Sequence, residues 1–444
     1  MIANLHIGFD DTDSPRGGCT TYIAALLVEK LENLGATFTD YPNLVRLNPN
    51  VPWKTRGNGA LCLRLSCDRA TAHSIFEVVA DTIEANSVLG VKDTDPGFVF
   101  FQGDAIPEEL RAFAKETIQG IVRMNQARKL INRLKAEALG FGAGYGLVGA
   151  LAAVGEPLEG DHTYEVIAYR TPEYRGTSRQ LSMESVERMN QETVQQTFNN
   201  IDPETQRVLI TPRGPDPILY GIRGETAEAV VQAHRCVYAL EPIERWVIFR
   251  TNHGTDAHLR RVDAISDIQQ YQSVILRGTV TSKPKLVRRR HRIFTIGDAT
   301  GAVDCAAYEP TGRLRKIAWQ LIPGDILEVS GGVRPSTSLQ PLTVNLEKMV
   351  ILKLAPKYKS CNLKCPKCRK RMSSMGWGQG LKCARCGFKS VNKKRILVQE
   401  KRRISEGLFI VSPRSQRHLT KPVSRYGREK CGKPRGMVGD WHSP

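Results

Sequence analysis

Three aspartates within four positions are the first residues of the chain whose types and spacing suggest chemistry. Asp10, Asp11 and Asp13 follow the apolar residues 5–9, which predict a short strand, and precede residues 20–34, which predict a helix. Carboxylates this close repel one another, so folding them together is favourable only when they share a cation or reach solvent. Because oxygen ligands suit Mg²⁺, this loop is a candidate magnesium site. The structural alternative is an acidic turn that does no more than begin a helix.

Two glycines and two threonines lead from these aspartates into the predicted helix. Gly17 and Gly18 let the backbone approach a ligand closely, and free amide groups at a helix start favour an anion such as a nucleotide phosphate. The hydroxyl of Thr20 or Thr21 either caps the helix or contacts a phosphoryl group, and the sequence supports both uses. The chain has no Gly-x-x-x-x-Gly-Lys-Ser/Thr motif, so a phosphate site here differs from a P-loop.

The loop at residues 53–59 is a second candidate for binding phosphate. Within it, Arg56 and Asn58 are the best candidates for contacts with a phosphate or a base, because the loop combines two cations, an amide and two glycines. A solvated turn explains the same residues equally well. A further glycine-rich stretch, residues 140–146, either contacts substrate or joins two domains.

Four cysteines near the end of the chain predict a metal site. Cys365 and Cys368 form one Cys-x-x-Cys pair, and Cys383 and Cys386 form a second. This double spacing can place four thiolates around one Zn²⁺, and four sulfur ligands leave no open position for chemistry. The predicted zinc is therefore structural. Cys361 lies nearby but outside the paired spacing, and we do not expect it to be a ligand.

Residues 272–354 predict a small β-barrel. Five short β-branched runs with a helix before the fourth are typical of an OB-fold. The predicted strands are 273–280, 292–296, 303–308, 326–330 and 342–354, the helix is 313–321, and turns are expected at 297–298 and 331–332. The loop joining the first two strands is basic and contains Lys283, Lys285, Arg288, Arg289 and Arg290. Such loops commonly hold single-stranded nucleic acid, although a barrel used only for packing is the alternative.

The positive charge lies at the C-terminal end. The 444 residues carry a net charge of +19, and residues 357–444 contain 24 Lys and Arg against four acidic residues. The rest of the chain is nearly neutral, which indicates a catalytic body joined to a part that binds a polyanion rather than to a merely solvated tail. Trp377 adds an aromatic stacking face to this basic part. The chain shows no apolar run long enough to span a bilayer and no secretory leader, so we expect a cytoplasmic protein without a membrane partner.

Several distinctive strings, in order along nearly the whole chain, resemble the archaeal agmatidine synthetases of isoleucine tRNA, the TiaS family. The strings are GFDDTDS at 8–14, CTTY at 19–22, RLNP at 46–49, KTRGNG at 54–59, GALAAVG at 149–155, YGIRGE at 220–225, TNH at 251–253 and RHLTKP at 417–422. The barrel and the double cysteine pair lie between the last two. Because the strings are several and collinear, the resemblance is much more specific than the acidic loop or the cysteine pairs alone.

The resemblance implies a reaction and a domain order. Members of this family are ligases that use ATP and Mg²⁺ to phosphorylate the carbonyl at position 2 of the wobble cytidine in an isoleucine tRNA with a CAU anticodon. The amine of agmatine then displaces the phosphate, and the modified base pairs with adenine, which allows AUA decoding. The expected domains are a kinase-like α/β domain at 1–140, a ferredoxin-like α+β domain at 141–262, the OB-fold at 263–355, a zinc ribbon at 356–395 and a basic tRNA-binding segment at 396–444.

The resemblance also implies roles for single residues. Asp10, Asp11 and Asp13 bind Mg²⁺ or act as a base, with Asp11 and Asp13 the metal ligands, and Thr20 is the threonine that the family phosphorylates on itself. The residues expected to contact tRNA include Arg417, His418 and Lys421 as well as the barrel cluster and Trp377. In an extended segment Asp11 and Asp13 point one way and Asp10 the other, which predicts a different role for Asp10.

Other expectations concern the amine and the end of the chain. Agmatine carries two cations, so its pocket needs a carboxylate or carbonyls, and Asp202 is the candidate. Residues 427–444 match no pattern and are expected to be unstructured. Two other functions are considered: a non-catalytic RNA-binding factor, and a kinase that acts on a small molecule and carries RNA-binding modules.

Overall fold

A large mixed sheet dominates the N-terminal part of the computed structural model, which describes residues 2–54, 56–288, 290–338, 340–391, 394–433 and 436–443. The elements of this part are β1 (Ile2–Asp10), α1 (Thr20–Asn33), β2 (Thr37–Phe38), β3 (Asn43–Arg46), β4 (Gly59–Asp68), α2 (Ala72–Asn86), β5 (Gly97–Gln102), α3 (Glu108–Gln119), α4 (Met124–Leu134), β6 (Glu137–Gly140), α5 (Gly146–Gly155), β7 (Thr163–Arg170), α6 (Met183–Glu192), β8 (Thr197–Phe198), β9 (Ile218–Gly224), α7 (Ala227–Cys236) and β10 (Ile243–Thr251).

This sheet is continuous across the predicted boundary at residue 140. Its strand order is β6-β5-β1-β4-β3-β10-β7-β9-β8, with β2 paired to β4. The two halves meet where β10 pairs in parallel with β3, opposing Arg250 to Asn43 and Thr251 to Leu44. In addition, α5 packs mainly on β1, β4 and β5 of the first half. The predicted kinase-like and ferredoxin-like units therefore share one sheet, and helix α5 of the second unit packs on strands of the first.

Side-chain alternation on the central strands explains the layers. Leu61 and Leu63 of β4 enter a core formed with α1, α2, α6 and α7, whereas Ala60 and Cys62 enter a second core formed with α3, α4 and α5. Successive residues of a strand point to opposite faces, so a strand covered on both sides is apolar throughout. The sheet is thus covered by helices on both faces.

Arg64 fixes the position of α5. Its buried side chain donates from Nη2 to the carbonyl oxygens of Ala153, Val154 and Glu156, at 3.3, 3.2 and 3.0 Å. The last carbonyls of a helix lack partners within the helix, and a cation at this end also suits the helix dipole. This contact matters for function because the other end of α5 borders the cavity described below.

The predicted OB-fold barrel is confirmed. Its elements are β11 (Leu259–Arg261), β12 (Ser273–Val280), β13 (Lys285–Val287), β14 (His291–Gly297), β15 (Ala302–Ala307), α8 (Arg313–Ala318), β16 (Ile326–Arg334) and β17 (Thr343–Lys353). The strand order β12-β16-β17-β15-β14 closes on itself because β14 also pairs with β12. As predicted, a helix precedes the fourth strand of the barrel.

The turn expected at residues 331–332 is wrong. Gly331 and Gly332 lie inside β16, where the register with β17 shifts between Ser330 and Gly331. A Cβ on Gly331 would lie 1.9 Å from the carbonyl oxygen of Asn345. The glycine therefore permits a close approach of two strands at a bulge, which is a use of glycine that resembles a turn signal in the sequence.

A two-stranded stem carries the cysteine-rich module beyond the barrel. The stem pairs β18 (Lys357–Asn362) with β22 (Arg395–Glu400), and the module contains β19 (Ser373–Ser374), β20 (Leu381–Lys382) and β21 (Lys389–Ser390). The chain then returns to the barrel, where β23 (Gly407–Ile410) pairs with β17. No helix in the described part of the chain is long and apolar enough to cross a membrane.

The end of the chain is ordered, contrary to expectation. Trp441 is buried in the core of the large sheet, with its ring 5.4 Å from that of Phe38 and 6.2 Å from that of Tyr41. Its carbonyl oxygen accepts a hydrogen bond of 2.9 Å from the backbone of Ile248. Pro434, Arg435 and Pro444 lie outside the described residues. Trp441 and the backbone N–H of Val438, which donates to the hydroxyl of Tyr41 at 2.7 Å, anchor this segment, and such isolated contacts leave no periodic signal in a sequence.

Candidate functional site

A cavity of about 900 Å³ lies where β1 and β3 end and α1 and α5 begin. Eight of the residues singled out in the sequence line it: Asp10, Asp11, Asp13, Thr20, Thr21, Arg56, Asn58 and His418. Its walls also include residues from β7, β9 and the C-terminal part of the chain, which the next paragraphs describe. The two candidate loops, 10–18 and 53–59, therefore belong to one site.

The loop after β1 turns sharply at its second aspartate. Asp11 has a φ of 60°, so the strand ends there and the alternation expected for an extended segment does not continue. The prediction that Asp10 points away from Asp11 and Asp13 is corrected accordingly, because all three line the same cavity. At Gly18, with a φ of 79°, a Cβ would lie 2.8 Å from the carbonyl oxygen of Thr12, so a side chain would open the loop.

A helix start packs against the first aspartate. A Cβ on Gly149, in the first turn of α5, would lie 1.8 Å from Oδ2 of Asp10, and one on Gly146 would lie 2.6 Å from the carbonyl oxygen of Asp10. Two residues without side chains thus let the positive end of α5 approach a carboxylate. The glycine-rich stretch at residues 140–146 was predicted either to contact substrate or to join two domains. Its position next to the site is compatible with the first use.

Asp10 and Asp11 resist ionisation in the absence of a bound cation. Burial, with repulsion from Asp13, raises the pKa of Asp11 to about 7, and burial together with the Asp11 charge raises the pKa of Asp10 well above its usual value. Neighbouring buried carboxylates with raised pKa values are a donor set that a hard divalent cation stabilises. Carboxylate oxygens are the ligands that Mg²⁺ prefers, and Asp11 and Asp13, which line the cavity, are its candidate ligands.

The threonines do not cap the helix. The N-cap of α1 is Cys19, and Thr20 is the first helical residue. The buried hydroxyl of Thr20 accepts a hydrogen bond of 3.0 Å from Oγ1 of Thr12 and lines the cavity. Thr21 instead lies 3.1 Å from the sulfur of Cys19. The structure therefore removes the capping explanation and leaves the Thr20 hydroxyl beside the aspartates.

Arg56 joins the two loops. Its Nε donates to Oδ2 of Asp13 at 2.8 Å, and its Nη2 donates to the carbonyl oxygen of Gly18 at 2.7 Å. Asn58, with a φ of 49°, donates from Nδ2 to the carbonyl oxygen of Asn48 at 2.7 Å and fixes the second loop. The arrangement places a guanidinium next to the candidate metal ligands, where it can neutralise a phosphate.

A polar cluster that the sequence did not reveal forms another wall. Glu165 of β7 accepts a hydrogen bond of 3.0 Å from Arg223, and its other oxygen lies 3.4 Å from Nδ1 of His253 and 3.7 Å from Arg46. Although burial opposes ionisation, the Arg223 guanidinium holds the pKa of Glu165 well below its usual value, and burial lowers the pKa of His253 to about 4. His418 completes this wall.

In the sequence, most of these residues could be recognised only as parts of separate motifs. RLNP at 46–49, YGIRGE at 220–225 and TNH at 251–253 contain Arg46, Arg223 and His253, but no spacing links one string to another. Glu165 is one residue of an apolar strand and carries no signal of its own. Asp95, whose backbone N–H donates to Asp11 at 2.9 Å, was missed for the same reason.

Asp202 is not part of the cavity. Its carboxylate is held by Nη1 of Arg414, at 2.9 and 3.0 Å, and accepts from the backbone N–H groups of Glu204 and Thr205 at 2.9 and 3.0 Å. The expectation that it binds the amine is corrected on this ground, because its oxygens are occupied by protein donors.

The candidate tRNA contacts fall into two groups. Lys283, Lys285, Arg288 and Arg290 are exposed around the β13–β14 hairpin of the barrel, Trp377 is fully exposed on the cysteine-rich module, and Arg289 lies outside the described residues. Lys283 also borders a second cavity of about 900 Å³ that contains Trp319, with Arg292 stacked 4.5 Å above its ring. These exposed cations and aromatic faces suit a nucleic acid.

The second group is less exposed: Lys421 is buried, and Arg417 and His418 are half-buried. Lys421 pairs with Asp161 at 3.2 Å and Glu429 at 2.9 Å, and Arg417 donates to Asn50. His418 faces the cavity. The expectation of an exposed basic surface at 417–421 is therefore corrected: residues in this stretch bind other parts of the same chain, because acidic partners lie opposite them.

The four paired cysteines converge as predicted. Their sulfur atoms lie within 4.8 Å of one another, with 3.5 Å between Cys365 and Cys386 and 3.3 Å between Cys368 and Cys383. Four thiolates around Zn²⁺ lie about 3.8 Å apart when each Zn–S bond is about 2.3 Å, so the set fits a tetrahedral zinc. Backbone N–H groups, that of Cys386 first, lower the pKa of the Cys383 thiol to about 6, which favours a thiolate. Cys361 lies on β18, outside this group.

Three family models match the chain: a TiaS TCKD domain at residues 6–79, a TiaS FLD domain at 144–258 and a TiaS C-terminal zinc ribbon domain at 362–404. Among similar proteins, the tRNA(Ile2) 2-agmatinylcytidine synthetase TiaS of Pyrococcus horikoshii is 41% identical over 419 residues, 94% of this chain and 96% of that protein. The protein of the same name from Staphylothermus marinus is 40% identical over 436 residues, 96% and 94% of the two chains.

Solved structures agree with these sequence matches. The TiaS–tRNA(Ile2)–ATP complex is similar with a TM-score of 0.84 at 39% identity, over 95% of this chain and 97% of that one. The TiaS–tRNA(Ile2)–AMPCPP–agmatine complex gives a TM-score of 0.82 at 36% identity over the same shares.

Proposed function

This chain belongs to the TiaS family, and we propose that it is a tRNA(Ile2) 2-agmatinylcytidine synthetase. It uses ATP to join agmatine to position 2 of the wobble cytidine in an isoleucine tRNA with a CAU anticodon, which lets the tRNA decode AUA. The observation that carries the proposal is similarity of about 40% identity from end to end to proteins with this activity in their name. The cavity of carboxylates, a hydroxyl and a guanidinium supports it independently.

The reaction needs activation of a carbonyl. The oxygen at position 2 of cytidine is a poor leaving group, so a phosphoryl group of ATP is first transferred to it, with a new P–O bond to the base and loss of the bond to the nucleotide. The primary amine of agmatine then adds to that carbon, and phosphate leaves with the oxygen. Phosphoryl transfer depends chiefly on positioning and on neutralisation of charge.

The loop after β1 supplies the positioning. Asp11 and Asp13 are proposed to hold Mg²⁺, which when bound neutralises charge on phosphate oxygens. Arg56, already bonded to Asp13 at 2.8 Å, adds a fixed guanidinium at the same place. Gly17 and Gly18, both with positive φ, let the loop adopt its tight turn at the proposed phosphate site, and Asn58 fixes the second loop through its bond to Asn48.

Thr20 and Asp10 are proposed to act beside the metal ligands. The Thr20 hydroxyl is buried, lines the cavity and is free of a capping role, which supports it as a residue that the protein phosphorylates on itself. Asp10, wedged against Gly149 and with a raised pKa, is a candidate base. A carboxyl with a raised pKa accepts a proton more readily at neutral pH than an ordinary aspartate does.

The C-terminal modules are proposed to hold the tRNA. A base in an anticodon loop must leave its stack before it enters a pocket, and contacts elsewhere on the RNA stabilise that state. The barrel hairpin with Lys283, Lys285, Arg288 and Arg290 and the ribbon with Trp377 supply such contacts, and Zn²⁺ bound by the four cysteines folds the ribbon. As a tRNA-modifying enzyme the protein is expected in the cytoplasm.

An omission experiment tests the proposal. The purified protein is incubated with Mg²⁺, ATP, agmatine and a transcript of isoleucine tRNA with a CAU anticodon, and each component is left out in turn. The tRNA is then digested to nucleosides for mass spectrometry, and ATP consumption is followed in parallel. We expect the modified cytidine only when all components are present, together with ATP consumption that depends on tRNA.

Each alternative function predicts a different result. ATP consumption with agmatine or another small molecule but without RNA would indicate a small-molecule kinase. Tight tRNA binding with neither ATP consumption nor modified cytidine would indicate a non-catalytic RNA-binding factor. A transcript with a GAU anticodon serves as the matched control, since it differs at the base to be modified.

A further inference from the structure

The C-terminal arm, residues 412–433, is built into the catalytic body. The side chain of Arg425 is completely buried and donates to Asp161 at 2.9 Å, to Glu225 at 2.8 Å and to the carbonyl oxygen of Gly254 at 2.7 Å. A buried guanidinium with two carboxylate partners holds a chain segment in one position, because loss of either side leaves an unpaired charge. The arm is therefore packed in one position against the large sheet and is not a loose tail.

The same arm is fixed to the barrel. Oγ1 of Thr420 donates to Glu347 of β17 at 2.8 Å, and Glu347 also lies 3.0 Å from Nε2 of His258. Lys348 of the same strand bonds the hydroxyl of Tyr426 at 2.9 Å. The arm thus joins the barrel to the catalytic sheet, and its middle residues are held from two sides.

Backbone pairing places the middle of the arm at the cavity. The N–H of Gly254 donates to the carbonyl oxygen of His418 at 2.7 Å, and the N–H of Asp256 donates to that of Leu419 at 2.8 Å. These bonds attach the arm to the turn after β10. The result is that the side chain of His418 enters the cavity wall from the far end of the chain.

The imidazole of His418 is packed but not hydrogen-bonded. Its ring centre lies 5.0 Å from that of His253, with the rings nearly perpendicular, and a Cβ on Gly57 would lie 2.7 Å from its Nε2. Within the described part of the chain, no protein group makes a hydrogen bond to either ring nitrogen of His418, which stays partly exposed to the cavity. A polar ring held in this way is available to hydrogen-bond a substrate in the cavity.

The surroundings of His418 keep it neutral. Burial and the guanidinium of Arg46 hold the pKa of His418 well below its usual value, His253 and Arg223 act in the same direction, and Glu165 opposes them. A neutral imidazole offers one N–H donor and one nitrogen acceptor. Each ring nitrogen therefore suits a neutral polar partner that faces it.

His418 also lies close to the reacting centre. Gly57, which it contacts, directly follows Arg56, and Arg56 is bonded to Asp13 at 2.8 Å. The proposed metal ligand and the imidazole are therefore linked through two adjacent residues of one loop. Asp13 and His418 also line the same cavity.

We propose that His418 is a catalytic residue whose neutral imidazole hydrogen-bonds the edge of the pyrimidine ring that accepts the phosphoryl group. This rests on the function proposed above. Agmatine is excluded as the partner because its cationic ends would be repelled by Arg46 and Arg223, and a nucleotide phosphate is bound better by a charged donor such as Arg56 than by a neutral imidazole. A pyrimidine edge presents neutral donors and acceptors, any one of which can pair with a single nitrogen of the ring.

The test compares His418→Ala, His418→Phe and His418→Gln in the full-length protein, with Gln416→Ala as the matched control. Gln416 lies two residues away in the same arm and bonds Asn199 at 2.7 Å and Val411 at 3.2 Å. For each protein, kcat for tRNA modification, KM for ATP, affinity for tRNA and melting temperature are measured. Phe keeps a flat ring without nitrogens, whereas Gln keeps a neutral donor and acceptor.

We expect the His418 substitutions to lower kcat and to leave the other measured quantities unchanged. The Ala and Phe variants should lose about 10- to 100-fold in kcat, as for removal of one preorganised hydrogen bond, with KM for ATP, tRNA affinity and melting temperature unchanged. His418→Gln should recover a part of kcat, and Gln416→Ala should match the wild type. If His418→Phe keeps full kcat, or if every loss is matched by weaker tRNA binding and a lower melting temperature, the proposal is wrong.

The wild-type reaction, run alongside, separates this proposal from the one on which it rests. Modified cytidine formed by the wild type supports the proposed function whatever the variants do. Absence of any product with wild-type protein would overturn the proposed function and the role of His418 with it.

Discussion

Arg56 and Asp13, 43 positions apart in the chain, are joined by a hydrogen bond of 2.8 Å from Nε to Oδ2. The bond connects the loop that follows β1 with the loop that precedes β4, and a second bond of 2.7 Å from Arg56 to the carbonyl oxygen of Gly18 fixes the same guanidinium. The proposed metal ligand and the proposed phosphate ligand are therefore positioned by one another, before any substrate binds.

Replacing Arg56 by Lys tests this link. A lysine keeps the charge but cannot make two bonds in the planar geometry of a guanidinium. We expect kcat to fall about 100- to 1000-fold, as for loss of a preorganised electrostatic group, with tRNA affinity unchanged. Arg111→Lys is the control, since Arg111 pairs with Glu159 away from the cavity at 2.8 Å. Equal activity of the two variants would contradict the role of Arg56.

Gly149→Ala tests the contact between α5 and the first aspartate. The new Cβ would lie 1.8 Å from Oδ2 of Asp10, so the carboxylate or the helix must move. We expect loss of most tRNA-modifying activity with the fold retained, measured as kcat and circular dichroism. Gly160→Ala, where a Cβ meets nothing within 4 Å, should leave both unchanged. Full activity of Gly149→Ala would show that the position of Asp10 is not critical.

Arg425→Met tests whether the C-terminal arm is structural. The substitution leaves Asp161 and Glu225 without the guanidinium that bonds them at 2.9 and 2.8 Å. Breaking a buried pair by removing one partner costs about 3–5 kcal/mol, so the melting temperature should fall clearly. Lys433→Ala removes a cation that is 76% exposed and should have no effect. Equal melting temperatures would indicate that the arm contributes nothing to stability.

Because the arm is part of the fold, the role of the zinc ribbon should be tested by an internal deletion and not by a C-terminal truncation. Deletion of everything from residue 357 onward would remove β23, Arg425 and Trp441, and so is expected to unfold parts of the barrel and the sheet. Asn362 and Arg395 oppose each other on the stem, so a short turn can replace the residues between them. This internal deletion should abolish tRNA modification while ATP binding, followed by calorimetry, persists. Loss of ATP binding would contradict the division of labour.

The pH dependence of stability should reflect buried neutral histidines. Burial and the charge of Arg235 lower the pKa of His234 to about 4, below the unfolded value of about 6.5. Between these values the unfolded state binds the proton that the folded state excludes, so this contribution to stability is lost as the pH falls from 6.5 toward 4.

The measurement for this prediction is chemical denaturation of the wild type and of His234→Gln at several pH values. The wild type's excess in free energy of unfolding over His234→Gln should shrink as the pH falls, by at most about 1.4 kcal/mol for each pH unit. His73→Gln, at a side chain that is 82% exposed, should follow the wild type at every pH. A constant difference between wild type and His234→Gln would refute the assignment.

The local parts of this structure could be predicted from the sequence, and the long-range parts could not. Strand β1, helix α1, the five barrel strands and the four cysteines each leave a periodic or spaced signal in adjacent residues. The same holds for the aspartate loop and for Arg56. These elements and the convergence of the cysteines appear in the structure close to the expected positions.

The misses have two physical causes. A single residue with positive φ, Asp11, turns the loop so that Asp10 joins the cavity, and alternation arguments assume an extended chain that ends there. The cluster of Glu165, His253 and His418 depends on contacts between residues 88 and 165 positions apart, which no local pattern encodes. Charge also misled, since Lys421 and Arg425 of the arm pair with carboxylates of the same chain and do not form an exposed basic surface.

The fate of the oxygen at position 2 of the wobble cytidine tests the central claim most directly. An isoleucine tRNA carrying ¹⁸O at that atom is converted by the protein with unlabelled ATP and agmatine, and the released phosphate is analysed by mass spectrometry. Phosphorylation of the carbonyl predicts one ¹⁸O in the phosphate for each modified cytidine. Unlabelled phosphate, with the ¹⁸O released as water, would contradict the account.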